Sequence, residues 1–192
     1  MRQAFKDSGQ ELKEDVEFDT KKLNRHFYTT SSCGVCGKSS IESVRTICDV
    51  TSETHNLKFN ADLFYQLPDE LRRNQNVFEH TGGLHAAALF DVNGNLIFVR
   101  EDVGRHNALD KLIGATLYKN LTPLTNHLLL LSGRASFELV QKAAMAGIKV
   151  IAAVGAPSSL AVEMAKEFDL TLIGFLNDKR FNIYSGSQRI II

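Results

Sequence analysis

Apolar and polar positions change period several times along the chain, and each change marks an element. Residues 1–22 are rich in charge and show no apolar period, and residues 41–58 fit neither template. Between them, Thr29-Thr30-Ser31-Ser32-Cys33-Gly34-Val35-Cys36-Gly37-Lys38-Ser39-Ser40 is built of small residues and glycines, which predicts a loop. From Asn60 the pattern sharpens. Asn60 or Asp62 opens a short helix ending near Leu67. Pro68-Asp69-Glu70 then opens a second, which runs to about His80 and stops at Gly82-Gly83. Leu84–Phe90 and Leu96–Val99 are apolar runs around Asn93-Gly94, a strong hairpin signal. A helix follows over about His106–Lys119, with Leu109, Leu112, Ile113 and Leu117 on one face. His127–Leu131 is a buried strand, and Ser136–Ala146 a helix closed by Gly147. Lys149–Val154 is a strand, Ser158–Phe168 a helix and Leu170–Phe175 a strand. Phe181–Tyr184 and Arg189–Ile192 add strands at the sheet edge.

Helices and strands that alternate in this way imply parallel pairing through right-handed crossovers. The opening hairpin makes the sheet mixed, and helices should cover both faces. The expected fold class is α/β, three layers α/β/α with a mixed sheet. The element order resembles the cytidine-deaminase-like fold, which by itself says little about function. The chain thus divides into residues 1–58, an N-terminal segment carrying the cysteine loop (31–40), and residues 59–192, the α/β domain.

Composition narrows the function classes. The chain has 192 residues, 44% apolar, enough for one core, with 22 basic residues balanced by 22 acidic. Neutrality gives no basic stripe for phosphates, so no nucleic-acid partner is expected. No apolar run approaches the roughly 18 residues of a membrane span. The start Met1-Arg2-Gln3-Ala4-Phe5-Lys6-Asp7 lacks the apolar region of a secretory signal. Three cysteines, two of them in C-x-x-C, make a poor disulfide framework and point to a reducing, cytoplasmic compartment.

Cys33-Gly34-Val35-Cys36 is the first candidate for chemistry. A thiolate is the nucleophile, and C-x-x-C context lowers a cysteine pKa toward neutrality. Gly34 and Gly37 let the loop bend, while Lys38 and Arg25 or His26 add positive potential. Four readings stay open. One cysteine can carry a persulfide that its neighbour helps release. The pair can be a dithiol redox couple, although the strand–helix context of thioredoxin-like proteins is missing. It can be half of a zinc site, for which Cys48 and the scattered histidines are badly spaced. Or both can be small buried residues, against the exposure that the flanking glycines and serines suggest. Cys48 itself sits in an alternating apolar stretch and reads as core.

A second candidate lies where strands hand over to helices. Ser132-Gly133-Arg134-Ala135-Ser136 and Gly155-Ala156-Pro157-Ser158-Ser159 each follow a buried strand and precede a helix. Free N–H groups and the helix dipole favour anions there, and Arg134 offers a two-pronged fork for phosphate, with Ser158 opening the next helix. Serine caps helices routinely, so each motif alone reads equally well as a cap. His80, His85 and His106 are further candidates, but a lone histidine is more often a satisfied structural residue. A zinc deaminase would need H-x-E and P-C-x-x-C at two successive helix starts. Glu101-Asp102-Val103-Gly104-Arg105-His106-Asn107 and Ser132-Gly133-Arg134-Ala135-Ser136 carry neither, so deamination is not expected.

Taken in series, these motifs resemble the FdhD/NarQ family of formate dehydrogenase accessory sulfurtransferases. The resemblance runs through Phe27-Tyr28 and the cysteine loop, Thr81-Gly82-Gly83-Leu84-His85-Ala86-Ala87, Arg100-Glu101-Asp102-Val103-Gly104-Arg105-His106-Asn107-Ala108, Ser132-Gly133-Arg134, Gly155-Ala156-Pro157-Ser158-Ser159 and Gly174-Phe175, over roughly residues 18–192. It implies a sulfur carrier that moves persulfide sulfur from a cysteine desulfurase to the bis-molybdopterin guanine dinucleotide molybdenum cofactor, needed by formate dehydrogenase. The cofactor is then a bound substrate, and no permanently bound metal is expected. The persulfide-bearing position matches Cys33, with Cys36 as partner. The cofactor-contacting segment matches Phe175, Leu176, Asn177, Asp178, Lys179 and Arg180. The resemblance also implies a homodimer. One departure is the short stretch ahead of the cysteine loop, where the family carries a segment of substantial length. The rival readings are a molybdenum-cofactor-binding chaperone that moves no sulfur, and a zinc-binding interaction module.

Overall fold

The computed structural model describes residues 57–191. The described part opens on a short strand β1 (Phe59–Asn60) and the helix α1 (Ala61–Arg73). Asn60 caps α1 by accepting the Asp62 N–H on its side-chain oxygen at 2.9 Å. The expected break at Pro68 does not occur: Pro68 lies inside α1. Phe64, Leu67 and Leu71 fall on one face and are all buried, and that burial outweighs the single backbone bond a proline removes. The break comes instead at Asn74, whose side-chain amide donates to the Glu70 carbonyl at 2.9 Å and to its carboxylate at 3.1 Å. The second helix is therefore short, α2 (Asn76–Thr81), and ends on Gly82 in the left-handed region, φ 64°.

The hairpin forms as expected. Strand β2 (His85–Phe90) and strand β3 (Leu96–Asp102) pair antiparallel around Gly94, whose φ is 83°. Asp91 fixes the turn by accepting the N–H groups of Asn93 and Asn95, both at 2.8 Å. Burial raises the Asp91 pKa, but the bonds from Asn95 and Asn93 outweigh it and hold the carboxyl below its ordinary value. Then come α3 (Arg105–Tyr118), β4 (Leu128–Leu131), α4 (Phe137–Met145), β5 (Val150–Ala153), α5 (Ser159–Glu167), β6 (Thr171–Gly174) and β7 (Asn182–Ser185).

The main sheet has six strands in the order β3-β2-β4-β5-β6-β7. Pairs β4–β5 and β5–β6 are parallel, while β2 is antiparallel to both neighbours and β7 to β6. Strands β3, β4, β5 and β6 therefore point the same way and end on one edge. The fold is α/β with a mixed sheet. On one face Ala86, Ala88, Phe90, Leu128, Leu130, Val150, Ala152 and Ile173 pack against Phe64, Leu67 and Leu71 of α1. The opposite face, through Ala87, Leu89, Leu129, Leu131 and Ile151, is covered by α3, α4 and α5. Phe181–Tyr184 was expected as an edge strand, and β7 fills that place. Arg189–Ile192 was expected there too. Its described part, β8 (Ile190–Ile191), instead pairs with β1 in a separate two-stranded sheet. Gly186, at φ 67°, is the cause: it turns the chain out of the sheet directly above Thr171.

Candidate functional site

The shared edge where the four parallel strands end forms a continuous rim, and the chain builds it by extending the ladder into the loops. Ser132 continues β4, since its N–H donates to the Ala86 carbonyl at 3.0 Å and its Oγ accepts the Ala86 N–H at 2.8 Å. The Gly155 N–H donates to the Gly133 carbonyl at 3.0 Å, and the Phe175 N–H to the Gly155 carbonyl at 3.2 Å. The three loops after β4, β5 and β6 are thus stitched side by side. Glycine permits this closeness. A Cβ added at Gly155 would lie 2.8 Å from the Arg134 nitrogen, and one at Gly133 would lie 3.0 Å from the His85 ring. His85 begins β2, opposite Asp102, and so stands at the same rim.

Several predicted residues converge here. Arg134 is exposed, and no hydrogen bond or ion pair holds its guanidinium among the described residues. Ser158 is exposed as well, but its Oγ already accepts the Ala161 N–H at 3.2 Å and caps α5. Phe175 is 46% exposed with φ 55°, an unusual conformation for a residue other than glycine. Asn177 folds the loop after it, accepting the N–H groups of Lys179 at 2.9 Å and Arg180 at 3.0 Å on its side-chain oxygen. That leaves Asp178, Lys179 and Arg180 exposed at the tip. Leu176 behaves differently: at 1% exposure it sits in the core and anchors the loop from below. Cys33, Cys36, Cys48 and the flanking Arg25, His26 and Lys38 lie outside the described residues.

At the β3 end, Glu101 and Asp102 hold neighbouring elements. Glu101 accepts the Val77 N–H at 3.0 Å and the Phe78 N–H at 2.9 Å, and so caps α2, which buries no residue of its own. The Asp102 carboxylate is pulled down to about 2 by the Lys111 ammonium 2.5 Å away, helped by the Gly104 N–H and the Asn107 amide. His106, in the first turn of α3, is half-buried, and that burial lowers its pKa; Glu138 opposes the shift, while Arg105 and Lys142 add to it. His80 is exposed on α2.

Glu138, in the first turn of α4, is the rim residue that sequence patterning did not single out. An acid there reads as an ordinary partner for the helix dipole. The signal that could have found it is spacing: His106/Asp110 and Glu138/Lys142 are both four apart on helices that follow parallel strands. Among the described residues no group of three or more His, Cys, Asp or Glu is placed to hold a metal ion. No helix among them is long and apolar enough to cross a membrane.

The family model described as the FdhD/NarQ family matches residues 4–191. The chain is 56% identical over 171 residues to the sulfur carrier protein FdhD of Streptomyces avermitilis, covering 88% of this chain and 61% of that one. It is 53% identical over 168 residues to the protein of the same name in Mycobacterium tuberculosis, covering 88% and 61%. To that of Picrophilus torridus it is 48% identical over 170 residues, covering 88% and 64%. The chain therefore spans about 61% of the length of its first relatives. A crystal structure from Desulfotalea psychrophila, described as a formate dehydrogenase accessory protein, is similar with a TM-score of 0.65 and 29% identity, over 71% of this chain and 56% of that one.

Proposed function

Because the chain belongs to the FdhD/NarQ family, we propose that it is a sulfur carrier serving formate dehydrogenase. The observation that carries this reading is the location of Cys33-Gly34-Val35-Cys36 inside the stretch matched to a family whose relatives bear that name. The donor is a cysteine desulfurase persulfide. The Cys33 thiolate attacks its terminal sulfur, the sulfur–sulfur bond of the donor breaks, and the desulfurase cysteine leaves as a thiolate. Cys33 then holds the persulfide.

The acceptor is the bis-molybdopterin guanine dinucleotide molybdenum cofactor, bound as a substrate along the rim. Arg134, Lys179 and Arg180 present exposed cations suited to its phosphates, and Phe175 an exposed ring. Ser158 offers the start of α5, although its hydroxyl is engaged as a cap. Sulfur passes from Cys33 to the molybdenum. Cys36 assists by attacking the Cys33 Sγ, which frees hydrosulfide and leaves a disulfide that a cellular thiol reduces. The protein works in the cytoplasm, as a homodimer.

A cofactor chaperone that moves no sulfur is favoured by one feature, the exposed cations at the rim, which need no cysteine. Reconstitution separates the two. With desulfurase, cysteine and cofactor supplied, Cys33→Ala should abolish activation of formate dehydrogenase while nucleotide binding persists. Full activation by Cys33→Ala would overturn the carrier role in favour of the chaperone.

A further inference from the structure

The geometry points to α2 as a hinged flap at the β3 corner of the rim, latched by the Glu101 carboxylate, which gates the entry of the rim's ligand. The gate rests on the reading that the rim takes a nucleotide, while the flap rests on how α2 is held. A helix of six residues makes fewer than two turns, and isolated helices shorter than about 12–15 residues are marginal in water. α2 must therefore be held from outside, yet it buries none of its residues, and Val77 stays 50% exposed. Between α2 and the last turn of α1 lies a cavity of about 810 Å³, lined by Arg72, Arg73, Phe78 and Glu79 among others, where a packed helix pair would interlock its side chains.

Two contacts hold the N-terminal half of α2. The Val77 and Phe78 N–H groups donate to the two Glu101 carboxylate oxygens, at 3.0 Å and 2.9 Å, and the Arg72 guanidinium lies 5.3 Å from the centre of the Phe78 ring. The post of this latch is rigid. Glu101 sits in β3 opposite Ala86, and its carbonyl accepts Lys111 Nζ of α3 at 3.1 Å. When the latch yields, α2 moves and β3 does not.

Both ends of α2 suit a hinge. Gln75 precedes it, buried as an anchor, and its side chain makes no capping bond to the helix. At the other end Gly82 takes φ 64° and Gly83 follows. A Cβ added at Gly82 would meet nothing within 4 Å, and one at Gly83 only the Thr81 carbonyl oxygen at 3.8 Å. Among the described residues no packing pins this turn, and glycine supplies the backbone freedom to rotate it. Leu84 and His85 come next, and His85 begins β2 at the rim, beside Gly133 and opposite Asp102. A swing of α2 therefore opens or covers that corner, as lids do at other sites.

Amide exchange in the whole chain, wild type against Glu101→Ala, tests the flap. Val77 and Phe78 bond to Glu101 directly, but the Glu79 N–H donates to the Gln75 carbonyl at 3.2 Å and the Gly82 N–H to the Phe78 carbonyl at 2.7 Å. A helix this short does not persist unlatched, so all four amides should quicken together, about tenfold to a hundredfold, while β4 and β5 keep their rates. If Glu79 and Gly82 keep wild-type rates, Glu101 is a fixed cap and the flap is overturned. Stopped-flow binding of GDP tests the gate. Association and dissociation should both quicken in Glu101→Ala by the same factor, leaving the affinity unchanged. Rates equal to those of the wild type overturn the gate although GDP binds. A wild type that binds no GDP overturns the gate and the nucleotide reading together. Should Glu101→Ala fail to fold, Phe78→Leu removes the Arg72 contact instead, and the same results support or overturn the inference.

Discussion

Replacing Gly155 with alanine should damage the rim by forcing two backbone segments apart. Gly155 lies where the loops after β4, β5 and β6 are stitched together, donating to Gly133 and accepting from Phe175. Its missing Cβ would sit 2.8 Å from the Arg134 nitrogen, 2.9 Å from the Gly133 carbonyl carbon and 3.0 Å from the Arg134 Cα. All three are backbone atoms held by ladder bonds, so no side chain can swing aside. Ordinary contact begins near 3.4 Å, and the two loops must part by about half an ångström. Overpacking of this kind costs about 1–3 kcal/mol. Alanine recovers about 0.4–1 kcal/mol by restricting the unfolded chain. The net loss is about 1–2 kcal/mol, which in a chain of this size lowers the melting temperature by roughly 5 °C. Thermal and urea unfolding followed by circular dichroism measures it, with Gly83→Ala as a control, since a Cβ there meets nothing nearer than 3.8 Å. GDP titration should also show weaker binding by Gly155→Ala, because Arg134 moves with the loop. A Gly155→Ala protein as stable as wild type would refute the claim that the strand-end loops are packed backbone to backbone.

The remaining predictions concern the elements around the rim. Gly114→Ala, inside α3 with nothing within 4 Å of the added carbon, should raise stability by about 0.5–1 kcal/mol in the same unfolding assay; destabilisation would mean that face is covered. Glu101→Ala removes both acceptors that cap α2, so amide exchange at Val77 and Phe78 should quicken while exchange in the central strands stays slow. Asp102 titrates below its unfolded value of 3.8, at about 2 in the fold. Its contribution is present above pH 3.8 and lost as pH falls through 2, so Asp102→Asn should flatten the acid limb of stability in that window.

Much of this architecture is legible in the residue pattern, and the exceptions share a cause. Asn93-Gly94 marks the hairpin because the turn needs a positive φ, a requirement local to the turn itself. Strands β4, β5 and β6 are visible because each is buried on both faces and reads as an unbroken apolar run. Pro68 misleads, since it resembles a helix start, and only the burial of Phe64, Leu67 and Leu71 against the sheet carries the helix through it. The tail misleads in the same way: Ile190 and Ile191 look like an edge strand, but their partner is Phe59–Asn60, far off in sequence.

At the site, Arg134 and the Phe175–Arg180 loop can be picked out as chemistry placed next to glycine and strand ends. The engagement of Ser158 as a cap and the burial of Leu176 need the fold. So does the pairing of Glu138 with His106 across the helix gap, although the four-residue spacing on each helix can be read from the sequence. Local signals reveal turns and runs, while pairs between distant segments appear only after packing.

The central claim is that sulfur travels on Cys33, and peptide mass spectrometry tests it most directly. Wild type, Cys33→Ala and Cys36→Ala are each incubated with a cysteine desulfurase and cysteine, then alkylated and digested. The account predicts one added sulfur atom on Cys33 in wild type and in Cys36→Ala, and none in Cys33→Ala. Added sulfur in Cys33→Ala, or a wild-type loop peptide that never gains it, would contradict the account.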